Sequence, residues 1–259
     1  MQRPLPSDKD RTMPTVAILA GGLATRLGAI ARQVPKSLVE VAGEPFIAHQ
    51  LRMLATSGVQ DVVLCCGYRS EMIQDFVGDG APFGCCVRYS CDGPTPLGTG
   101  GAIRKALPLL GDPFFVMYGD SYLTLDFRAA LAAFAQSGQP ALMSVFRNND
   151  QWDASNVEFA DGRVIRYAKR APGSGPDGMR HIDYGVSIFR PQVFTSWPEG
   201  VAFDLSVVQA ELVARRQMAG FEAAHRFYEI GSPVGLRETD AHLRASLTRP
   251  LHSPIGVGA

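Results

Sequence analysis

Residues 15–27 read TVAILAGGLATRL: a short apolar run from Thr15 to Ala20 that breaks on Gly21-Gly22. An apolar run of that length bounded by glycine is the pattern of a strand buried on both faces, as in a parallel sheet. The chain beyond it keeps alternating. Pro45–Ser57 carries Phe46, Ile47, Leu51 and Leu54 on roughly one helical face and meets Gly58 as its stop. Asp61–Cys66 (DVVLCC) is strand-like again, and Ser70–Val77 is a helix candidate ending at Gly78. Cys86–Ser90, Thr99–Leu107 and Phe114–Tyr118 continue the series as strand, helix and strand, the last closing on Gly119-Asp120. This alternation predicts a Rossmann-like three-layer α/β sandwich with a mostly parallel central sheet. In such sheets ligands sit beyond the carboxyl ends of the strands, so the loops that follow strands are the places to look for chemistry.

The C-terminal half reads differently. Ala141–Phe146 and His181–Phe189 are strands, and Leu205–Arg216 is a helix. Asn156–Ala160 and Arg163–Ala168 flank Asp161-Gly162, a strong hairpin signal. A hairpin-rich half of this kind would serve a second substrate. One domain over 14–245 is expected, with flexible tails at 1–13 and 246–259.

Composition narrows the partners. The chain has 259 residues, 46% of them hydrophobic, so a disordered protein is excluded. Lys+Arg and Asp+Glu are 25 each, which leaves no net basic field to capture nucleic acid from a distance. No apolar run approaches the roughly 18 residues of a membrane helix. The N-terminal MQRPLPSDKDRTM lacks the apolar stretch of a signal peptide. A cytoplasmic location, away from membranes, is the expectation. Five cysteines, Cys65, Cys66, Cys85, Cys86 and Cys91, do not make a disulfide framework. Neighbours on a strand face opposite ways, so neither adjacent pair can hold one ion.

The first loop carries the chemistry. Gly21-Gly22 lets backbone N–H groups approach an anion, and Arg26 adds a charge suited to phosphate oxygens. Lys36 follows ten residues on, in PKSL, and would add a second cation at the same end of the sheet. The pattern is neither GxGxxG nor GxxxxGK[ST], which disfavours dinucleotide binding and P-loop chemistry. Asp120, at the end of a strand, is placed to bind Mg²⁺, which takes oxygen ligands. The Gly-rich turn Pro96-Leu97-Gly98-Thr99-Gly100-Gly101 could present backbone groups to a base edge. Asp92 precedes it, and a carboxylate accepts well from the two adjacent donors of guanine, which tilts the base toward GTP. No GxSxG elbow exists for a hydrolase nucleophile.

Taken in order, LAGGLATRL, VPKSLVEVAGEPF, TPLGTGGAI, YGD, YAKR, IDYG and EIGSP resemble the signature of the sugar-1-phosphate nucleotidyltransferases, over about residues 15–240. PLGTGGAI on a short chain is most similar to the D-glycero-alpha-D-manno-heptose 1-phosphate guanylyltransferases among them. The resemblance implies an enzyme that joins an NTP to a sugar 1-phosphate with Mg²⁺ as cofactor. It implies Arg26 and Lys36 as catalytic cations. It implies Leu19, Ala20, Gly21, Gly22, Asp92, Pro96, Leu97, Gly98, Thr99 and Gly119 around the nucleotide. Asn156, Lys169, Asp183, Tyr184 and Gly185 would hold the sugar phosphate, and Asp120 and Glu229 the metal. Three positions depart from the family pattern. Ala24 stands for Gly, Gly28-Ala29-Ile30 for Pro-Leu-Thr, and Glu229 for Asp. Mannose, glucose and N-acetylmuramate 1-phosphates with other bases remain open, as does an inactive nucleotide-sugar-binding protein.

Overall fold

The computed structural model describes residues 13–22, 34–168 and 178–247. Arg26, Lys169 and the Ala24 and Gly28–Ile30 departures lie outside them. The chain runs β1 (Val16–Leu19), β2 (Glu40–Val41), β3 (Glu44–Pro45), α1 (Phe46–Thr56), β4 (Asp61–Cys66), α2 (Ser70–Val77) and β5 (Cys86–Cys91). It continues through α3 (Gly98–Ala106), β6 (Phe114–Tyr118), β7 (Ser121–Tyr122), α4 (Phe127–Ser137), β8 (Ala141–Arg147), β9 (Val157–Ala160) and β10 (Arg163–Tyr167). Then come β11 (His181–Phe189), α5 (Leu205–Ala214), β12 (Met218–Glu222), β13 (Tyr228–Glu229) and α6 (Pro233–Leu247).

Nine strands form one sheet in the order β5-β4-β1-β6-β11-β8-β12-β10-β9. β5, β4, β1 and β6 are parallel neighbours, and β8 and β12 pair in parallel as well. β11 and β10 run the other way. The sheet is thus mixed and mostly parallel, with helices on both faces, as the alternation predicts. Both halves of the chain share it.

Period-two alternation sorts the strands between two cores. Val16, Ile18, Val62, Leu64, Phe115 and Met117 pack with α1, α2 and α4 on one face. Ala17, Leu19, Val63, Cys65, Phe114 and Val116 pack with α3 and α5 on the other. Cys65 and Cys66 therefore lie on opposite faces, and burial pushes the Cys66 thiol up to about 12. The hairpin turn has Asp161 at φ 49° and Gly162 at φ 72°, the left-handed pair that a two-residue turn needs.

Several elements escape the sequence pattern: α4, β12, α6 and the two-residue ladders β2–β3 and β7–β13. Met13, which the sequence assigns to the tail, is buried in the first core. α6 runs to Leu247, past the domain limit expected at 245. Among the described residues, no helix is long and apolar enough to cross a membrane.

Candidate functional site

The chain leaves β1 to build β4 and β5 on one side, then returns to place β6 on the other. The switch point therefore lies at the carboxyl ends of β1 and β6. The two ends nearly touch there, with Gly119 N–H donating to the Leu19 carbonyl at 3.2 Å. A Cβ on Gly119 would sit 2.5 Å from that carbonyl oxygen, so only glycine fits. Gln50, buried on α1, donates from Nε2 to the Tyr118 and Ser121 carbonyls at 3.2 and 2.8 Å. Those two bonds bracket Gly119-Asp120 and fix the turn.

Two adjoining cavities open at this end. The first, about 260 Å³, is lined by Leu19, Ala20, Gly21, Gly22, Lys36, Ser37, Cys65, Asp92, Pro96, Gly98, Thr99, Ala102, Tyr118, Gly119 and Asp120. It brings together all of the expected nucleotide residues except Leu97. The Leu97 side chain is buried, its N–H donates to Asp92 Oδ2 at 3.0 Å, and its carbonyl accepts from Phe203 N–H. Gly100 and Gly101, expected to face a ligand, instead donate their N–H groups to the Phe203 carbonyl. Thr99 Oγ1 donates to Asp204 and accepts from Leu205 N–H, tying α3 to the start of α5. Burial raises the Asp92 carboxyl above its ordinary value, while the Leu97 N–H acts against the rise.

The second cavity, about 580 Å³, shares Thr99, Tyr118 and Asp120 with the first. Asn156, Asp183, Tyr184, Gly185 and Glu229 line it. β11 accounts for this placement. It runs antiparallel to β6 with Val186 opposite Met117, so Asp183-Tyr184-Gly185 lies beside Tyr118-Gly119-Asp120. Asn156 Oδ1 accepts from Asp183 N–H at 2.9 Å, and the Tyr184 hydroxyl accepts from Thr124 N–H at 3.2 Å. Asp183 accepts from Gly185 N–H at 3.0 Å and from Gln209 Nε2 at 3.3 Å.

Burial pushes the Asp183 carboxyl from 3.8 up to about 6, its hydrogen bonds opposing the rise. The folded form therefore holds a proton that the unfolded chain releases between those two values. This carboxyl costs stability as pH rises through that window, by at most about 3 kcal/mol. Asp183→Asn should melt higher than the wild type at pH 7 and close to it at pH 4. Melting curves at both values check this, and a gap of equal size at each pH would contradict it.

Charge gathers where the cavities meet. Lys36 Nζ lies 2.6 Å from Asp120 Oδ2, and the lysine is largely buried. Ser121 Oγ donates to Asp120 Oδ1 at 3.2 Å. The β7–β13 ladder sets Glu229 opposite Ser121, and Ile230 N–H donates to the Asp120 carbonyl at 2.9 Å. The Glu229 carboxylate accepts from Gly231 N–H and from Ser232 Oγ. A Cβ on Gly231 would meet Glu229 Oε2 at 2.5 Å, Lys36 Nζ at 3.0 Å and Asp120 Oδ2 at 3.6 Å. One lysine and two carboxylates thus converge on a single glycine. Behind them Val39, Val41, Phe46, Ile230 and Leu243 form a third small core.

Sequence reasoning passed over Ser37, Asp204 and Ser206. Ser37 Oγ is buried at the first cavity with no hydrogen-bond partner among the described residues, and its place in PKSL was the available signal. Asp204 caps α5, a legible role, but nothing local shows that it also lines the second cavity.

An open α/β sheet with paired cavities at its switch point is the frame of a nucleotide-handling enzyme. The chain belongs to the nucleotidyl transferase family, which matches residues 15–164. The resemblance to sugar-1-phosphate nucleotidyltransferases is thereby borne out at the level of the enzyme class. One relative is the N-acetylmuramate alpha-1-phosphate uridylyltransferase of Neisseria meningitidis, 29% identical over 86% of this chain and 96% of that protein. Another is the D-glycero-alpha-D-manno-heptose 1-phosphate guanylyltransferase of Aneurinibacillus thermoaerophilus, 27% identical over 88% and 97%. Among solved structures, HddC of Yersinia pseudotuberculosis in complex with GMP-PN superposes with a TM-score of 0.73 at 26% identity. That match covers 89% of this chain and all of that one. These relatives differ in base and in sugar.

Proposed function

We propose that this enzyme transfers the nucleotidyl group of GTP to a sugar 1-phosphate, a heptose 1-phosphate first among them, and releases pyrophosphate. The observation that carries the reading is the convergence of Lys36, Asp120 and Glu229 between a glycine-walled cavity and a larger polar one. An oxygen of the acceptor phosphate attacks the α-phosphorus, and the bond from that phosphorus to the bridging oxygen of pyrophosphate breaks opposite it. Two anions must meet, so the work is alignment and charge neutralisation. No general base is needed, since the attacking phosphate is already ionised. Lys36 supplies charge at the α-phosphate, Arg26 at the departing pyrophosphate and Lys169 at the acceptor phosphate. The Asp120 and Glu229 carboxylates suit Mg²⁺, a hard cation commonly held by one or two carboxylates together with substrate phosphates. Bound there, Mg²⁺ would neutralise phosphate charge. No described group of three or more His, Cys, Asp or Glu residues could hold an ion.

The base assignment rests on Asp92, whose carboxylate lines the first cavity and would accept from guanine. The guanylyltransferase relative and the GMP-PN complex of HddC support it, while the uridylyltransferase relative makes UTP the competitor. A thermal-shift panel of ATP, CTP, GTP and UTP with Mg²⁺ separates them, because a ligand that binds the folded state raises its melting temperature. GTP is expected to give the largest rise. A rise with UTP alone would remove guanine. Pyrophosphate release is then assayed across heptose, mannose, glucose and N-acetylmuramate 1-phosphates. An enzyme inert with every pair refutes the proposed reaction.

A further inference from the structure

We infer that the sugar ring of the acceptor lies on Trp152, and that Arg226 is a positioning residue that holds this indole as a wall of the second cavity. The inference rests on the acceptor being a sugar phosphate. Trp152 is 39% exposed, yet its loop is tightly built. Buried Asn148 donates from Nδ2 to the Asp153 carbonyl at 2.5 Å and to Ser155 Oγ at 3.2 Å. Its Oδ1 accepts from Trp152 N–H at 3.2 Å, and Ser155 N–H donates to Asp150 Oδ1 at 2.7 Å. A large apolar ring is therefore displayed from a fixed frame.

The Arg226 guanidinium lies 3.5 Å from the centroid of the Trp152 ring and 4.5 Å from that of Tyr228. Its Nη2 pairs with Glu238 of α6 at 2.7 Å, and its Nε donates to the Phe227 carbonyl at 3.2 Å. Tyr228 in turn stacks on His242 of α6 at 3.9 Å and 16°. A continuous stack thus runs from α6 to the cavity wall.

Trp152 and Phe227 make an apolar part of that cavity, while Asn156, Asp183 and Ser206 make a polar one. A pyranose matches this pairing, with C–H faces for the indole and a hydroxyl rim for the polar groups. A quaternary ammonium acceptor does not match it, because Trp152 already carries a cation on its ring. Trp152 lines only the acceptor cavity of the two, so its effect should fall on one substrate.

The test uses the full chain in a Trp197→Phe background, which leaves Trp152 as the only tryptophan of the two. Heptose, mannose, glucose and N-acetylmuramate 1-phosphates are titrated against its emission, and KM is measured for each substrate. Trp152→Ala should raise KM for the sugar phosphate about tenfold or more and leave KM for the NTP within about twofold. Trp152→Phe should recover part of the loss. Arg226→Ala should raise the same KM and shift the emission of Trp152, and Arg226→Lys should restore part of both. Parallel changes in the two KM values, or a fall in kcat alone, would overturn the inference and leave the proposed reaction standing. Quenching by a sugar phosphate without pyrophosphate release from any pair would uphold the platform and overturn the reaction. Neither quenching nor release would overturn both.

Discussion

Lys36→Ala should lower kcat on the order of 10²–10³-fold, the scale of losing one preorganised charge beside a developing anion. The physical basis is the position of Nζ, 2.6 Å from Asp120 Oδ2 in a largely buried setting. Without it, a nucleotide bound as proposed would meet the Asp120 and Glu229 carboxylates with one cation fewer beside them. Stability should change little, within about 1 kcal/mol, because Asp120 is about one-third exposed and its pairing is softened by solvent. Pyrophosphate release measured beside the melting temperature separates the two effects. A variant that keeps its melting point and near-full turnover would remove Lys36 from the reaction.

Gly231→Ala should cost nearly as much activity without adding or removing a charge. The added methyl would lie 2.5 Å from Glu229 Oε2 and 3.0 Å from Lys36 Nζ. Both atoms are the ends of flexible side chains, so the fold can accommodate the methyl by moving them. What is lost is their convergence, and misplacement by about 1 Å can cost on the order of 10²-fold in rate. The expected signature is a low kcat in a protein that melts within a few degrees of the wild type. A large drop in melting temperature would show instead that the turn, not the charge cluster, is what the glycine protects.

These two residues mark how far the sequence could be read. Strand bounds at Asp61–Cys66 and Phe114–Tyr118 were legible because buried strands read as nearly unbroken apolar runs bounded by polar or glycine residues. The turn at Asp161-Gly162 was legible because left-handed backbone restricts the residues that can occupy it. α6 was not, since the positions it buries, Gly235, Thr239 and Leu243, offer one large apolar side chain among them and so no apolar stripe to read. The β7–β13 ladder has two residues on each side, too few for any periodicity. That ladder is nonetheless what sets Glu229 beside Asp120. The motifs of the site could be recognised one by one, but the ion pair between Lys36 and Asp120 joins residues 84 apart and exists only in the folded chain. The stack of Trp152, Arg226, Tyr228 and His242 is of the same kind.

α6 and the strand before it have a further consequence for how the molecule opens. β13 and α6 are held to the rest of the protein by a two-residue ladder continued by Ile230 N–H to the Asp120 carbonyl, by Ala42 N–H donating to Asp240 at 2.7 Å, by Arg226 against Trp152, and by the small third core. None of these belongs to the nine-stranded sheet. The C-terminal unit could therefore detach as a local opening, with every ladder of the sheet intact, at far less than the free energy of global unfolding. Such an opening would carry off one of the two carboxylates while the wall that holds Asp92 and Gly21 stayed in place. Amide exchange at Ile230 and Gly231 should then run ahead of exchange in β1 and β6, and adding Mg²⁺ with a nucleotide, which on the proposed reading engages both carboxylates through the metal, should close the gap. Competence for reaction would be governed by the least stable layer of the protein, while its persistence as a folded object would be governed by the most stable.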